Sequence, residues 1–590
     1  MTACESAAAG GACGGARSAA GERLWDRWAR WAQERGSRDA VVHWTAGEEP
    51  RRYTWSALVA AAAHEAAALA AAGVRQGDVC ALVVRHHPRF YPLYMGISAI
   101  GAIPSVLAYP NARLHPDKFV QGLSGMARRS GLDWILTERA LEATVRPLVA
   151  GDGSRARGLL FPLEWPAAEV GAPARAVDLP REVAATDPCL LQHSSGTTGL
   201  QKGVALSHRA VLEHVESYAA AIQLTDADRV VSWLPLYHDM GLIAGFHTPL
   251  AAGLSLVQLD PFEWVSAPVL LLEALSRERG TLTWLPNFAY NLMAERVHAD
   301  EVQGLRLDGV RMFVNCSEPV RHESHGRFLQ RFAANGVRPQ ALAACYAMAE
   351  LTFAATQTAP GRAAPTLVVD RAALSRGEVA PARDGAPNRI CVSSGRPIPA
   401  CRLQIVGADG RELPPDRVGE IALRSPTMFE GYRNGPEESA RVLVDGWYHS
   451  GDLGFLHEGE CYVIGRQKDV IIVAGNNVYP EDVEDAVSAV PGVSPGRVVA
   501  FGVEDEEAGT EVVCVIAEAD VTDPEERKRL VLAIRRAGMA VDVTISRVHL
   551  APPRWLIKSS SGKPSRKANK ERIAREPLLQ PSHDDTRRAS

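Results

Sequence analysis

Paired cysteines, a surplus of positive charge and long apolar runs are all missing from this 590-residue chain, and each absence excludes something. The ten cysteines stand at 4, 13, 80, 189, 316, 345, 391, 401, 461 and 514, and no two share C-x-x-C spacing. A zinc site therefore has no support, and widely spaced thiols in a large chain read as reduced, buried side chains of a cytoplasmic protein. Lys and Arg number 64 against 69 Asp and Glu, so the net charge of -5 offers nothing to nucleic acid. No charge-free apolar run of about 18 residues occurs, and no membrane span is expected. The most apolar stretch, Ala57 to Gly73, is mostly alanine, carries His64 and Glu65, and reads as a packed helix. The first 20 residues lack both a basic start and a long apolar stretch, so they resemble a disordered tail rather than a secretory signal.

What remains is ordinary for a globular protein, with 46% hydrophobic and 23% charged residues over a length that needs two to four domains. Short apolar runs alternate with helical patterns: CALVV near Cys80, CLLQH near Cys189, RVVSWLP near Val231 and LSLVQL near Leu256. That alternation predicts α/β layers with much parallel sheet. Near Gly465 the character changes, where CYVIGRQKDVIIVAG places strand residues on both sides of a charged turn. A helix from Pro480 to about Val490, strands near Val498 and Val513, a helix from Arg527 to Gly538 and a strand near Val548 follow. The resulting expectation is a tail over 1–20, a large domain over 21–465, a small α+β domain over 466–575 and a polar tail over 576–590. There are no internal repeats.

The strongest local signal is HSSGTTGLQKGVALSHRAV, from His193 to Val211, which follows an apolar run and precedes a helix expected to start at Ser207. Between Ser194 and Gly203 it holds three glycines, four hydroxyls and Lys202. Glycine lets backbone N–H groups approach a phosphate chain, hydroxyls add donors, and lysine adds a cation. Gly203 follows the lysine, so this is not a Walker loop.

Further motifs follow in order: LPLYHDMGL (234–242), CYAMAEL (345–351), GEIALRSPTMFEGYRN (419–434), YHSGDLGF (448–455), GRQKDVIIVAGNNVYPEDVE (465–484) and SSSGKPSR (559–566). Together with the hydroxyl-rich loop they resemble the adenylate-forming superfamily of acyl ligases over roughly residues 25 to 575. Within it the chain looks most like the fatty acyl-AMP ligases, on YHDMGLI, NCSEPV (315–320) and PNFAYNL (286–292). About thirty residues after Glu350 and before the next sheet strand, including VVDRAALSRGEVAPARDG, occupy the place of that branch's insertion. In the family this insertion is linked to loss of CoA use, the acyl group going instead to the phosphopantetheine of an acyl carrier protein.

The resemblance implies a large adenylate-forming domain of layered sheets and helices and a small mobile C-terminal domain. It also implies ATP and Mg²⁺ as cofactors, a fatty or related acid as substrate, and a separate holo acyl carrier protein as acceptor. Ser194, Ser195, Gly196, Thr197, Thr198, Gly199 and Lys202 would hold the phosphates, and Ser317, Tyr346, Asp452 and Arg466 the nucleoside. Tyr346 would stack on adenine and Asp452 would accept the ribose hydroxyls. Glu350, with Thr198, would bind Mg²⁺. His238 would sit beside the acyl substrate, Lys563 would stabilise charge during adenylation only, and the small domain would rotate near Lys468.

Some positions depart from the family pattern: Ala347 after Tyr346, Gln201 before the loop lysine, His449-Ser450 before Gly451, and Asn476 and Val478 after the hinge. The last two bear on the second half-reaction. Three other functions share part of the pattern. An acyl-CoA ligase uses the same ATP residues. An amino-acid adenylation domain places aspartate where His238 stands. A non-catalytic relative would lack Lys563, Glu350 or Asp452, and all three are present. A lipidated natural product or unusual lipid is the family-level expectation for the product.

Overall fold

The computed structural model describes residues 21–109, 116–150, 154–167, 182–193, 202–474, 476–505, 510–558 and 564–576. The expected phosphate ligands Ser194 to Gly199, the lysine Lys563 and both tails lie outside these residues.

A nine-stranded sheet organises the large part of the molecule. Its centre is six parallel strands in the order Leu342–Ala347, Met312–Asn315, Leu282–Leu285, Arg229–Ser232, Ser255–Leu259 and Asp39–Trp44. Antiparallel strands Ala354–Gln357 and Arg51–Thr54 flank this centre. A second, all-parallel sheet runs Ile103–Val106, Val79–Val83, Trp134–Thr137 and Gly158–Leu160. Parallel strands are covered on both faces, which is why runs such as VCALV are apolar throughout and buried at every position. The alanine-rich stretch is the helix Trp55–Ala71, capped by the Thr54 hydroxyl accepting from Ala57 N. Its small side chains let the helix Phe90–Ala99 come so close that a Cβ on Gly96 would lie 2.9 Å from the Ala62 carbonyl oxygen. Leu58 and Leu69 on its inner face are fully buried, each contributing about 1.5–3 kcal/mol.

An antiparallel sheet of Arg402–Val406, Gly419–Arg424, Trp447–His457 and Glu460–Arg466 follows, and after a short turn at Gln467–Asp469 the packing changes owner. From Ile471 onward the apolar residues form their own core, including Val483, Val487, Val515 and Ile534. This smaller unit is a three-stranded sheet of Val498–Asp505, Thr510–Glu518 and Ile545–Ala551. Helices Pro480–Ser488 and Pro524–Met539 cover one face, and helix Arg566–Arg575 packs on the other through Ile573. The fold is therefore α/β with a small α+β unit after the turn.

One expectation needs correction. The insertion does not precede the next sheet strand: Ala354–Gln357 follows Glu350 almost at once, pairing antiparallel with Leu342–Ala347. The extra residues come later, as the hairpin Thr366–Asp370 with Asn388–Val392 and a short helix Arg371–Ser375 capped by Asp370. The helix expected to start at Ser207 is present, after a short strand. Strand Gly203–Ser207 intervenes and pairs antiparallel with Pro188–His193, with His193 opposite Gly203. Ser207 then caps the helix His208–Ala221 by accepting from Ala210 N.

Candidate active site

The described site residues gather beyond the carboxyl ends of the central parallel strands, the usual ligand edge of such sheets. Strand Arg229–Ser232 delivers His238 and Asp239, strand Met312–Asn315 delivers Ser317, and strand Leu342–Ala347 delivers Tyr346 and, one turn on, Glu350. The segment after Leu234 turns back on itself so tightly that a Cβ on Gly241 would lie 2.3 Å from the Pro235 carbonyl oxygen. Asp239 then caps a π-helix, Met240–His247, and Ser317 Oγ donates to Met240 Sδ at 3.7 Å. Ser317 and Thr352 both hold positive φ, 83° and 68°, without being glycine. Strain of this kind collects where the surroundings fix a functional geometry.

Tyr346 and Asp452 meet from different sheets. The Tyr346 hydroxyl donates to Asp452 Oδ2 at 2.7 Å, and Arg466 Nε lies 3.1 Å from Asp452 Oδ1 across the Trp447–His457 and Glu460–Arg466 pair. Burial beside Asp452 pushes the Tyr346 phenol well above its ordinary range, so it stays a donor. Asp452 raises the Arg466 guanidinium. The turn before Asp452 is held by Glu420, which accepts from Gly451 N at 2.8 Å and pairs with His449 Nδ1 at 2.9 Å. Ser450 Oγ accepts from Asp452 N at 3.1 Å and donates to the Ile421 carbonyl at 2.7 Å.

Tyr432 links a cation and an anion. Its hydroxyl donates to Glu350 Oε1 at 2.8 Å, and Lys202 Nζ sits 4.3 Å from its ring centroid. Burial raises the Glu350 carboxyl above its usual range, with Asp239 adding to the rise and Lys202 opposing it. Burial also lowers the Lys202 ammonium, opposed by Glu350. Tyr432 is bridged to Val204, and Arg433 N donates to the Gly203 carbonyl at 2.8 Å, so this segment grips the strand after the hydroxyl-rich loop. Lys468 completes the ring: burial, then Arg466, and more weakly Lys202, lower its ammonium to about 8 while Asp469 and Asp452 oppose.

The structure thus brings Lys202, Glu350, Tyr346, Asp452, Arg466 and Lys468 into one site, with His238 beside Asp239 and Ser317 against Met240. Sequence reasoning gave no role to Tyr432, Glu420 or Asp239. The first two lie inside the GEIALRSPTMFEGYRN motif and the third is the neighbour of His238, so the motifs themselves were the available signal. No group of three His, Cys, Asp or Glu able to hold a metal occurs among the described residues. Glu350 nevertheless fits a hard cation. Its Oε1 accepts from the Tyr432 hydroxyl, and Mg²⁺ characteristically takes one or two carboxylates and completes its shell with phosphate oxygens and water. A cavity of about 520 Å³ lies at the opposite, amino ends of the strands. Its Arg35 and Arg229 are already paired with Asp226 and Glu278, so it is not the reaction site.

A buried tyrosine hydrogen-bonded to an aspartate, and a lysine and a glutamate brought together by Tyr432, come from motifs that the sequence shares with adenylate-forming enzymes. Residues 28–433 match the family model described as AMP-binding enzyme, and the chain belongs to that family. A protein of Caulobacter vibrioides, provisionally named an acyl-CoA synthetase, is 31% identical over 515 residues, covering 84% of this chain and 86% of that one. The long-chain-fatty-acid–AMP ligase FadD26 of Mycobacterium marinum is 30% identical over 546 residues, covering 88% and 91%. A solved structure from work on the fatty acyl-adenylate ligases of E. coli and L. pneumophila superposes with a TM-score of 0.85 at 26% identity, covering 94% of this chain and 98% of that one.

Proposed function

We propose that the protein is a fatty acyl-AMP ligase that uses ATP and Mg²⁺ and passes the acyl group to the phosphopantetheine thiol of a separate acyl carrier protein. In the first step a carboxylate oxygen attacks the α-phosphorus, the bond to the β-phosphate oxygen breaks, and pyrophosphate leaves with the electron pair. Two anions must meet, so charge neutralisation and positioning carry the catalysis. Ser317, Tyr346, Asp452 and Arg466 orient the nucleoside; Lys202, with Ser194 to Gly199, holds the phosphates; His238 stands beside the acyl substrate. Glu350 and Thr198 would hold Mg²⁺, which when bound would supply charge neutralisation at the phosphate oxygens. Lys563 serves this step alone. In the second step the thiol sulfur attacks the acyl carbon, AMP leaves, and the thiol proton passes to solvent. A large domain over 21–465 and a small one over 466–575, hinged near Lys468, would exchange faces between the steps.

The carrier protein is favoured over CoA by one observation. The hairpin Thr366–Val392 is tied to the small unit: Arg371 and Arg389 reach Asp482 at 2.9 and 3.3 Å, and Arg321 of the large unit pairs with Asp485. Such ties restrict how the small unit opens to a free nucleotide thiol. The eight described cysteines, all unpaired and buried, support a reducing compartment such as the cytoplasm. No described helix is long and apolar enough to cross a membrane.

The test supplies ATP, Mg²⁺ and acids of increasing chain length, with CoA and holo acyl carrier protein as parallel acceptors, and reads adenylate and thioester by mass spectrometry. Adenylate plus acyl-carrier product with little acyl-CoA supports the proposal, and abundant acyl-CoA overturns the acceptor. Lys563→Ala should lower adenylation roughly 10²–10³-fold, the range for removing one oriented charge-stabilising group. It should leave transfer from supplied acyl-adenylate intact.

A further inference from the structure

Asn569, in helix Arg566–Arg575, is fully buried, and its amide joins two separate stretches of chain. Its Oδ1 accepts from Ile557 N at 2.8 Å, while its Nδ2 donates to the carbonyls of Ile557 at 2.9 Å and Ser565 at 2.8 Å. Ser565 N also donates to the Ile557 carbonyl at 2.9 Å, and Lys558 is bridged to Pro564. The chain just before residue 559 is thereby closed onto the chain just after residue 563, and Lys563 is bonded directly to the bridged Pro564. Arg566 fixes the same base against the rest of the small unit. Its Nε and Nη2 donate to the two oxygens of Glu484 at 2.9 and 2.7 Å, and its Nη1 lies 2.7 Å from Asp469 Oδ2 and 2.9 Å from Glu481 Oε1. All four side chains are less than one-fifth exposed. Glu481 and Glu484 share one face of helix Pro480–Ser488. Asp482 and Asp485, on the neighbouring face, hold Arg371 and Arg389 of the hairpin and Arg321 of the large unit. Asp469 ends the turn Gln467–Asp469 that contains Lys468. One guanidinium thus ties the base of the lysine segment both to that turn and to the helix that meets the large unit.

We propose that Asn569 and Arg566 are positioning residues for adenylation, acting through Lys563 by fixing the backbone that carries it. The inference rests on the reading that Lys563 serves the first step and adds what aims it. A lysine ammonium rides on a flexible four-carbon stem and cannot aim itself, so its placement depends on where its backbone is held. A displacement of about 1 Å at a reacting centre can cost about 10²-fold in rate. The chemistry of both side chains suits the task. A buried primary amide must pair its donors and acceptor, so Asn569 holds Ile557 and Ser565 in one arrangement. A two-point guanidinium–carboxylate pair fixes direction as well as distance, which lysine in its place would not reproduce.

The experiment uses the full chain and places Asn569→Ala and Arg566→Lys separately in the wild-type and in the Lys563→Ala background, with acyl-adenylate formation read by mass spectrometry. In the wild-type background each variant should lower kcat roughly 10–100-fold with little change in the KM for ATP. In the Lys563→Ala background neither should lower the rate further, because a group that acts through the lysine has nothing left to aim. Arg566→Lys keeps a cation among the three carboxylates and remains the readable variant if Asn569→Ala does not fold. Losses of similar size in both backgrounds mark a merely structural role and overturn the proposal. An unchanged kcat in the wild-type background, or a loss carried mainly by the KM for ATP, also overturns it. A Lys563→Ala chain that forms adenylate at the wild-type rate removes the underlying reading, and the positioning role with it.

Discussion

Tyr432 shows how much of this site depends on a hydroxyl that carries no chemistry of its own. Its ring faces Lys202 at 4.3 Å and its hydroxyl donates to Glu350 at 2.8 Å, so it holds a cation and an anion apart at a fixed spacing. Tyr432→Phe keeps the ring and removes the donor. A hydrogen bond to a charged group is worth roughly 1.5–3 kcal/mol, so adenylation should fall about tenfold or more. That bond also favours the ionised carboxylate, opposing the burial that raises Glu350. Without it the carboxyl titrates higher still, and the acid limb of the adenylation pH profile should move to higher pH. A profile of unchanged shape would show that Glu350 does not need its charge. Tyr346, Glu350 and Asp452 were legible because each sits in a motif, whereas Tyr432's partnership with Glu350 spans 82 residues and is visible only after folding.

Among the elements, the hairpin Thr366–Asp370 with Asn388–Val392 connects the two parts of the molecule. Val369 and Cys391 pack with Phe455, Tyr462, Ile464 and Tyr479, so the hairpin joins the antiparallel sheet to the first helix of the small unit. Asp482 accepts both of its arginines, and losing one partner of a partly buried ion pair leaves the others uncompensated. Asp482→Ala should destabilise the junction by roughly 1.5–3 kcal/mol, the range for a hydrogen bond to a charged group, measured by chemical denaturation. It should also raise acyl-CoA formation relative to carrier loading. A destabilised variant that still refuses CoA would confine the hairpin to a structural role. The sequence located these residues but placed them before the next strand, because a run without strong periodicity does not reveal that it pairs with itself.

For the whole molecule, burial sets the response to acid. Six histidines, 43, 193, 208, 214, 247 and 325, are lowered from 6.5 to between about 2 and about 4, in each case chiefly by burial. Folded, they stay neutral where the unfolded chain would take up protons, so the unfolded state binds more protons below pH 6.5. Their stability contribution is fully present above that pH and is lost as pH falls through the folded values. Each histidine costs about 1.4 kcal/mol per pH unit within that window. The thermal midpoint should therefore drop steeply between pH 6.5 and 5, with uptake of several protons on unfolding in calorimetry across buffers of different ionisation enthalpy. Uptake near zero would contradict the burial of these rings.

Periodicity and turn chemistry are local, so the sequence alone determined the α/β layering, the helices Trp55–Ala71 and Pro480–Ser488, the change of character near Gly465 and the family-bearing motifs. Those features depend on residues a few positions apart, and the chain displays them before it folds. The tertiary structure decided which motifs touch: Tyr346 to Asp452 across 106 residues and the hairpin's arginines to Asp482 across about a hundred. These are outcomes of strand order and of competition for burial, and both are settled only when the whole chain packs at once.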